Sequence, residues 1–278
     1  MFEPVIKWSG SKRSQTPDII QYFPDEINTY FEPFLGGGSV FRALLESGKK
    51  VKRYVLSDNN TDLMQLWEII ANCPEETIRQ YREYWNTMNQ DVPKENQKYR
   101  QDFYNIIREG FNKTRNPYAF MFLNRTCFNG LIRYNSENKF NSPFHLNRNG
   151  ILPDKFAKIV TEWNHLINDN NVTFICCTYE EIKPEEGDFI YLDPPYANTK
   201  GMYQEGDFDN QKMFEWMRNL PCGYALSYDG LSGSQNKTFN VPKDIYKKHH
   251  YIRSGNSSFK RITESNKNAE VYESIYLS

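Results

Sequence analysis

Apolar and polar positions divide the 278-residue chain into short apolar runs separated by amphipathic stretches. The segment "NTYFEPFLGGGSVFRALLESG" reads as a strand ending near Phe34, a glycine turn, and a helix that begins near Ser39 and stops at Gly48. "KRYVLSDNN" gives a second strand with Asp58 at its C-terminal end, after which Asn60 or Thr61 caps the helical stretch "DLMQLWEIIANC". Helical spacing continues through "PEETIRQYREYWNTM" and "RQDFYNIIREGFNK". From Asn124 to Gly150 there is neither a helical stripe nor a clean alternation, which predicts an inserted module of hairpin character. Apolar runs then return as "NVTFICC", "DFIYLD", "GYALSYDG" and "EVYESIYLS", with "FAKIVTEWNHLIN" and "QKMFEWMRNL" as helices among them. This alternation predicts an α/β sheet covered on both faces, with an antiparallel edge among its last strands.

Composition narrows the class. Charged residues make up 25% and aromatics 15% of the chain, so it is an ordinary globular protein rich in rings, most of which core packing accounts for. No apolar run approaches the roughly 20 residues that span a bilayer, and "MFEPVIKWSGSKR" lacks a signal-peptide core, so a cytoplasmic protein with no membrane partner is expected. Five cysteines without a C-x-x-C predict neither a disulfide framework nor a zinc site. The formal charge of −1 hides two basic regions. Six cations face one acid from Phe111 to Gly150, and six face one from Lys243 to Ile262. Either region suits a polyanion or a solvated face.

In an open α/β sheet, ligands bind beyond the carboxyl ends of the strands, and three such ends carry polar chemistry: "EPFLGGGS", "LSDNN" and "YLDPPY". The glycines Gly36, Gly37 and Gly38 allow close backbone approach. Asp58 lies about 20 residues further on, where an acid of a βαβ unit can accept bonds from ribose hydroxyls. The spacing is neither G-x-G-x-x-G nor a Walker loop, which favours a nucleoside ligand other than a dinucleotide. Taken alone, "DPPY" is also compatible with a rigid turn capped by its aspartate. His145, His165, His249 and His250 show no metal-ligand spacing.

Six motifs in order, "KWSGSK", "FEPFLGGGSVF", "SDNN", "FLNRTCFNGLIRYN", "FNSPF" and "DPPY", resemble the Dam-type DNA adenine methyltransferases of bacteria and their phages over nearly the whole chain. The resemblance implies a Rossmann-like, class I S-adenosylmethionine-dependent methyltransferase sheet, with residues 1–60 and 151–278 forming the catalytic domain. Residues 61–150 would be an inserted helical and hairpin target-recognition domain. It further implies methyl transfer from S-adenosylmethionine to N6 of a flipped-out adenine in double-stranded DNA, releasing S-adenosylhomocysteine. The enzyme is expected to work as a monomer, with a restriction endonuclease of the same site as a potential partner.

Adenine's amino nitrogen is a poor nucleophile because its lone pair is delocalised into the ring. By resemblance, Asp193 and the carbonyl of Pro194 accept its two N–H bonds, and Tyr196 stacks on the base. Consecutive prolines stiffen that loop. A sulfonium leaving group requires neither a metal nor a covalent enzyme intermediate, so orientation and the carboxylate's field supply the catalysis. The cofactor-binding set is then Trp8, Lys12, Glu32, Phe34, Gly36, Gly38, Asp58, Tyr179 and Asp193, with Lys12 toward the methionyl carboxylate, Glu32 toward its amino group and Asp58 on the ribose. Without the resemblance, Trp8 reads as core and Glu32 as a strand cap. The DNA-binding set is Lys7, Phe128, Asn129, Leu131 and Arg133. Phe128 would wedge into the stack, Asn129 would lie near the orphaned base, and Arg133 offers a fork suited to guanine. Arg125 reads as structural.

Two departures bear on the target. Phe128 replaces a tyrosine of several relatives, and "SPFH" replaces "VPFG" or "VPYG", so GATC or a related GAT-containing site is expected. The late stretch "YKKHHYIRSGNSSFKRITESNKN" resembles the family's mobile, phosphate-contacting loop before the last strand. An RNA-adenine or cytosine-N4 methyltransferase, or an inactive DNA-binding relative, is the alternative.

Overall fold

The computed structural model describes residues 3–90, 92–93, 95–195, 208–232, 235–236, 238–256 and 270–278. In chain order, α1 (Thr16–Ile20), β1 (Glu26–Glu32), α2 (Ser39–Glu46) and β2 (Lys50–Asp58) come first. A helical run follows: α3 (Thr61–Asn72), α4 (Pro74–Asn89), α5 (Gln97–Thr114), α6 (Pro117–Thr126) and, later, α7 (Pro153–Asn168). The remaining elements are β3 (Val172–Cys176), β4 (Phe189–Leu192), α8 (Asn210–Arg218), β5 (Gly223–Ser232), β6 (Gln235–Asn236), β7 (Lys248–Asn256) and β8 (Glu270–Leu277). Local chemistry sets the boundaries. Asn60 caps α3 by accepting the Leu63 N–H at 2.9 Å. Prolines open α4, α6 and α7, where a missing N–H leaves no bond unmade.

The described residues form two compact units, one of 3–11 and 59–176, the other of 12–58, 177–195 and the described part of 208–278. In the second unit the strand order is β2-β1-β4-β5-β8-β7. β2, β1, β4 and β5 are parallel, with Glu32 opposite Leu56, Phe31 opposite Ile190 and Leu192 opposite Leu226. β8 runs antiparallel between β5 and β7, which is the expected antiparallel edge. The chain moves from β1 outward to β2 on one side and resumes with β4 and β5 on the other. The β1/β4 boundary is therefore the topological switch point, the position beyond whose strand ends open α/β sheets bind their ligands. All four residues of β4 are buried, and Phe31, Ile190, Leu192, Phe214, Leu226 and Tyr228 belong to the core beneath it.

The first unit is held by rings. Trp67 of α3 packs on Trp163 of α7 at 5.2 Å and stacks on Phe174 of β3 at 5.5 Å. Phe111 of α5 stacks on Phe120 of α6 at 4.8 Å, and Phe120 meets Phe140 edge-on. Phe120, Phe122 and Phe140 are fully buried, so much of the aromatic content is core. Among the described residues no helix is long and apolar enough to cross a membrane.

Two expectations need correction. Asn124, Arg125 and Thr126 are the last turn of α6 rather than hairpin, and the hairpin that follows consists of two isolated bridges, Cys127 to Phe144 and Tyr134 to Phe140. α6 escapes a periodic reading because every residue from Ala119 to Thr126 is buried, which erases the amphipathic stripe. Lys248–Asn256, read as part of a mobile loop, is strand β7, while residues 257–269 of that stretch lie outside the described residues. Among the described residues β7 borders only β8, and its polar, lysine-bearing sequence suits such an edge.

Candidate active site

The second unit gathers most of the predicted cofactor and catalytic residues at its strand ends. After β1, the turn through Gly36 and Gly38 takes left-handed angles, φ +49° and +64°, which disfavour a side chain. Gly36 donates its N–H to the Asp58 carboxylate at 3.2 Å, and Leu35 donates to the Ser57 carbonyl at 3.0 Å. Asp58 thus braces the glycine turn from the end of β2. A carboxylate accepts several bonds at once, so this role is compatible with a sugar ligand. Beside the turn, Phe34 and Tyr179 lie 5.8 Å apart, and Phe208 faces both at 5.7 and 5.9 Å. These rings provide apolar faces of the kind a purine requires.

The charged part of the site lies at the switch point. Asp193 follows the last residue of β4, and Pro194 behind it is buried. Lys12, only 3% exposed, places its Nζ 2.8 Å from Asp193 Oδ2 and 3.5 Å from Glu273 Oε2. Glu273, on β8, also accepts a bond from Ser254 Oγ at 3.2 Å. Glu32 ends β1 fully buried, and its Oε2 accepts the Tyr30 hydroxyl at 2.7 Å. Burial, helped by the charge of Asp193 and opposed by the hydrogen bond from Tyr30, pushes the Glu32 carboxyl up to about 8. Burial and the charge of Asp193 likewise hold the Tyr191 hydroxyl well above its usual range, and that hydroxyl bonds Ser227 at 2.7 Å.

The first unit carries Trp8 and the whole predicted DNA-contact set. Lys7 is fastened at its backbone: its N–H donates to Asn124 Oδ1 at 2.9 Å, and its carbonyl accepts from Asn124 Nδ2 at 2.7 Å. Arg125 donates to the Pro4 carbonyl at 2.9 Å and is buried, which supports its structural reading. Burial, then Arg125, holds the Lys7 ammonium below its usual range. Asn129 and Gly130 turn through φ +54° and +68°, and a Cβ on Gly130 would come within 2.8 Å of Lys7 Cβ, so glycine is required there. Phe128 is 45% exposed and stacks on His145 at 5.3 Å. The Phe128 N–H donates to Pro143 and that of His145 to Thr126, tying the two limbs together.

Arg133 projects from this hairpin while its backbone N–H bonds Ser142 Oγ at 3.1 Å. Leu131, partly exposed, has its carbonyl bonded by the same serine. The basic region is smaller than its formal count. Arg115 pairs with Asp62 at 2.9 Å and Lys139 with Glu137 at 2.7 Å. Among the described residues Lys113, Arg133 and Arg148 are exposed and pair with no carboxylate.

Tyr196 lies outside the described residues. Sequence reasoning missed Glu273, Tyr30 and Asn124. An acid midway along an otherwise apolar strand, as in "EVYESIYL", was the available signal for Glu273.

A mainly parallel sheet with a braced glycine turn, a ring-lined face and a buried acid at its switch point is the architecture of an α/β enzyme whose site lies beyond its strand ends. The family described as D12 class N6 adenine-specific DNA methyltransferase matches residues 8–224. A DNA adenine methylase of Haemophilus influenzae is 31% identical over 250 residues, spanning 88% of this chain and 75% of that protein. The type II methyltransferase M.MjaIII of Methanocaldococcus jannaschii is 31% identical over 275 residues, spanning 88% of this chain and 92% of its own length. A DNA adenine methylase of Escherichia coli is 32% identical over 199 residues, 69% of this chain and 64% of that protein. The chain belongs to the D12 class N6 adenine-specific DNA methyltransferase family and is a DNA adenine methyltransferase.

Proposed function

We propose that this enzyme methylates N6 of an adenine flipped out of duplex DNA, within GATC or a related GAT-containing site, using S-adenosylmethionine. The observation that carries the reading is the placement of Asp193 at the β1/β4 switch point, held by Lys12 at 2.8 Å. When bound, S-adenosylmethionine supplies an electrophilic methyl on a sulfonium. The chain's own work is orientation. Asp193 accepts one N–H of the target amine, the Pro194 carbonyl accepts the other, and Tyr196 stacks on the base, which aims the nitrogen lone pair outward. Phe34 and Tyr179 flank the donor's adenine, Gly36 and Gly38 let its backbone-facing edge approach, and Asp58 receives the ribose. Trp8 completes the donor's surroundings. An ammonium beside Glu32 would favour the ionised carboxylate there.

Because the reacting nitrogen is enclosed in the duplex, the adenine must leave the stack. Phe128 wedges into the vacated space, Asn129 meets the orphaned partner, and Lys7, Leu131 and Arg133 read neighbouring base edges. Residues 61–150 act as the target-recognition domain, and the enzyme works in the cytoplasm as a monomer. Lys113, Arg133 and Arg148 suit phosphate or base contacts, so duplex affinity should fall steeply with salt. A salt-insensitive affinity would contradict this surface. The name M.MjaIII ties that relative to type II systems, which supports a restriction endonuclease of the same site as a partner here.

The decisive experiment is modification-aware sequencing of DNA from a methylation-deficient bacterial strain expressing the protein. N6-methyladenine at one short motif is expected. Modification of cytosine N4, or of RNA alone, would overturn the reading.

A further inference from the structure

The two departures from the family's hairpin pattern touch each other. Phe128 stands where several relatives carry tyrosine, and His145 ends the "SPFH" that replaces "VPFG" or "VPYG", so one hydroxyl is lost and one ring is gained. In the fold the gained ring lies against the altered one: Phe128 and His145 are stacked, with centroids 5.3 Å apart and 28° between their planes. Both are fixed from the two limbs of the hairpin. Cys127 and Phe144, the residues just before them, are buried and form the bridge that joins the limbs. Phe128 donates its N–H to the Pro143 carbonyl at 2.8 Å, and His145 donates its own to the Thr126 carbonyl at 3.1 Å. The imidazole is oriented as well, because Nδ1 accepts the Asn147 N–H at 3.2 Å, and a neutral ring then carries its proton on Nε2. Burial, then the charge of Arg148, holds His145 below its ordinary range, with Lys7 adding to the lowering and a backbone bond opposing it. The neutral form therefore prevails at pH 7. Phe128 stays 45% exposed, so the stack fixes the ring's direction without covering it.

We propose that His145 is a positioning residue for the wedge: it backs the Phe128 ring and orients it before DNA arrives, so that the space vacated by the target adenine is filled by a ring that needs little further ordering. The inference rests on the assignment of Phe128 as the wedge above. A ring free in water samples several rotamers, and ordering it on binding costs free energy. A ring already packed on a neighbour loses less freedom on binding. Extruding a base strips its neighbours of their stacking contacts, and a pre-oriented ring replaces them. His145 thus acts on how often the adenine is out of the stack, whereas Asp193 acts on the transfer that follows.

The test is titration of the full chain into a duplex of the motif found by sequencing, with 2-aminopurine, which brightens on leaving the stack, in place of the target adenine. His145→Asn removes the ring but keeps an oxygen near Nδ1 to accept the Asn147 N–H, so the local turn is retained. It should lower the flipping equilibrium about 3- to 10-fold, the factor that one aromatic pair contributes. His145→Phe keeps a ring and loses that acceptor, and it should stay within about 2-fold of the natural protein. With the target placed opposite an abasic site, where extrusion is easier, the deficit of the asparagine variant should shrink to within about 2-fold. Normal or stronger flipping by His145→Asn would overturn the inference, since the ring would then be idle or restraining. An equal deficit in His145→Phe would overturn it too, because the imidazole would be acting through its nitrogens. If Phe128→Ala flips the base normally, the wedge assignment itself fails, and this inference with it.

Discussion

Lys12 and Arg133 carry the same charge in opposite surroundings. Lys12 is 3% exposed and fixed between Asp193 and Glu273, whereas Arg133 is exposed and pairs with no carboxylate among the described residues. In the second unit, Lys12 is paired with carboxylates inside the protein before any ligand arrives, so these groups are already aimed. In the first, the scaffold is fixed by backbone bonds at Lys7, Phe128 and Arg133, while the side chains of Phe128 and Arg133 stay exposed. An exposed guanidinium such as that of Arg133 is left to solvent or to an external anion. On the proposed reading, the difference separates a site built for one reaction from a surface whose target preference can change residue by residue.

The largest expected effect breaks the fixed side of that contrast. Asp193→Ala should lower methyl transfer on the order of 1,000-fold or more, with S-adenosylhomocysteine affinity and thermal stability little changed, since Lys12 keeps Glu273 as a partner. Calorimetry and a labelled-methyl assay on the same preparation check both halves. Turnover above about a tenth of normal would remove Asp193 from the proposed role.

Next in size is the pH response of Glu32. Its carboxyl is pushed from 4.5 up to about 8 by burial, so between those values the folded state holds a proton that the unfolded chain releases. Stability from this group is full below the lower value and lost as pH rises through the upper one, with a slope of up to about 1.4 kcal/mol per pH unit. Urea unfolding from pH 5 to 9 should show this decline in the natural protein and a flatter response in Glu32→Gln. A steeper decline in the variant would contradict the assignment.

The sheet and its glycine turn were legible because strand ends, Gly48 and the Asn60 cap are local signals. α6 and β7 were not, for opposite reasons: burial on every side removes the periodicity of one, and a one-sided edge makes the other too polar to read as a strand. Asp193, Asp58 and the glycines announced themselves through short motifs. Glu273 had no such motif, only its place as an acid within a strand, since it meets Lys12 only when the last strand inserts between β5 and β7. The charge count from Phe111 to Gly150 misled for a similar reason, because Arg115 finds Asp62 on α3.

The two smallest effects concern the exposed side and separate scaffold from tip. Asn124→Ala removes both bonds to the Lys7 backbone and leaves its N–H and carbonyl without those partners, at a cost of about 2–3 kcal/mol visible in thermal unfolding. Arg133→Ala should leave unfolding unchanged, because the side chain is exposed, yet lower discrimination at one base pair by about 1–3 kcal/mol. Methylation rates on duplexes differing at single positions measure that loss. If Arg133→Ala slows every duplex equally, the guanidinium holds phosphate and the guanine contact is wrong. If the loss is confined to one position, the hairpin reads sequence with a side chain that the fold leaves outward, while the chemistry depends on one that the fold encloses.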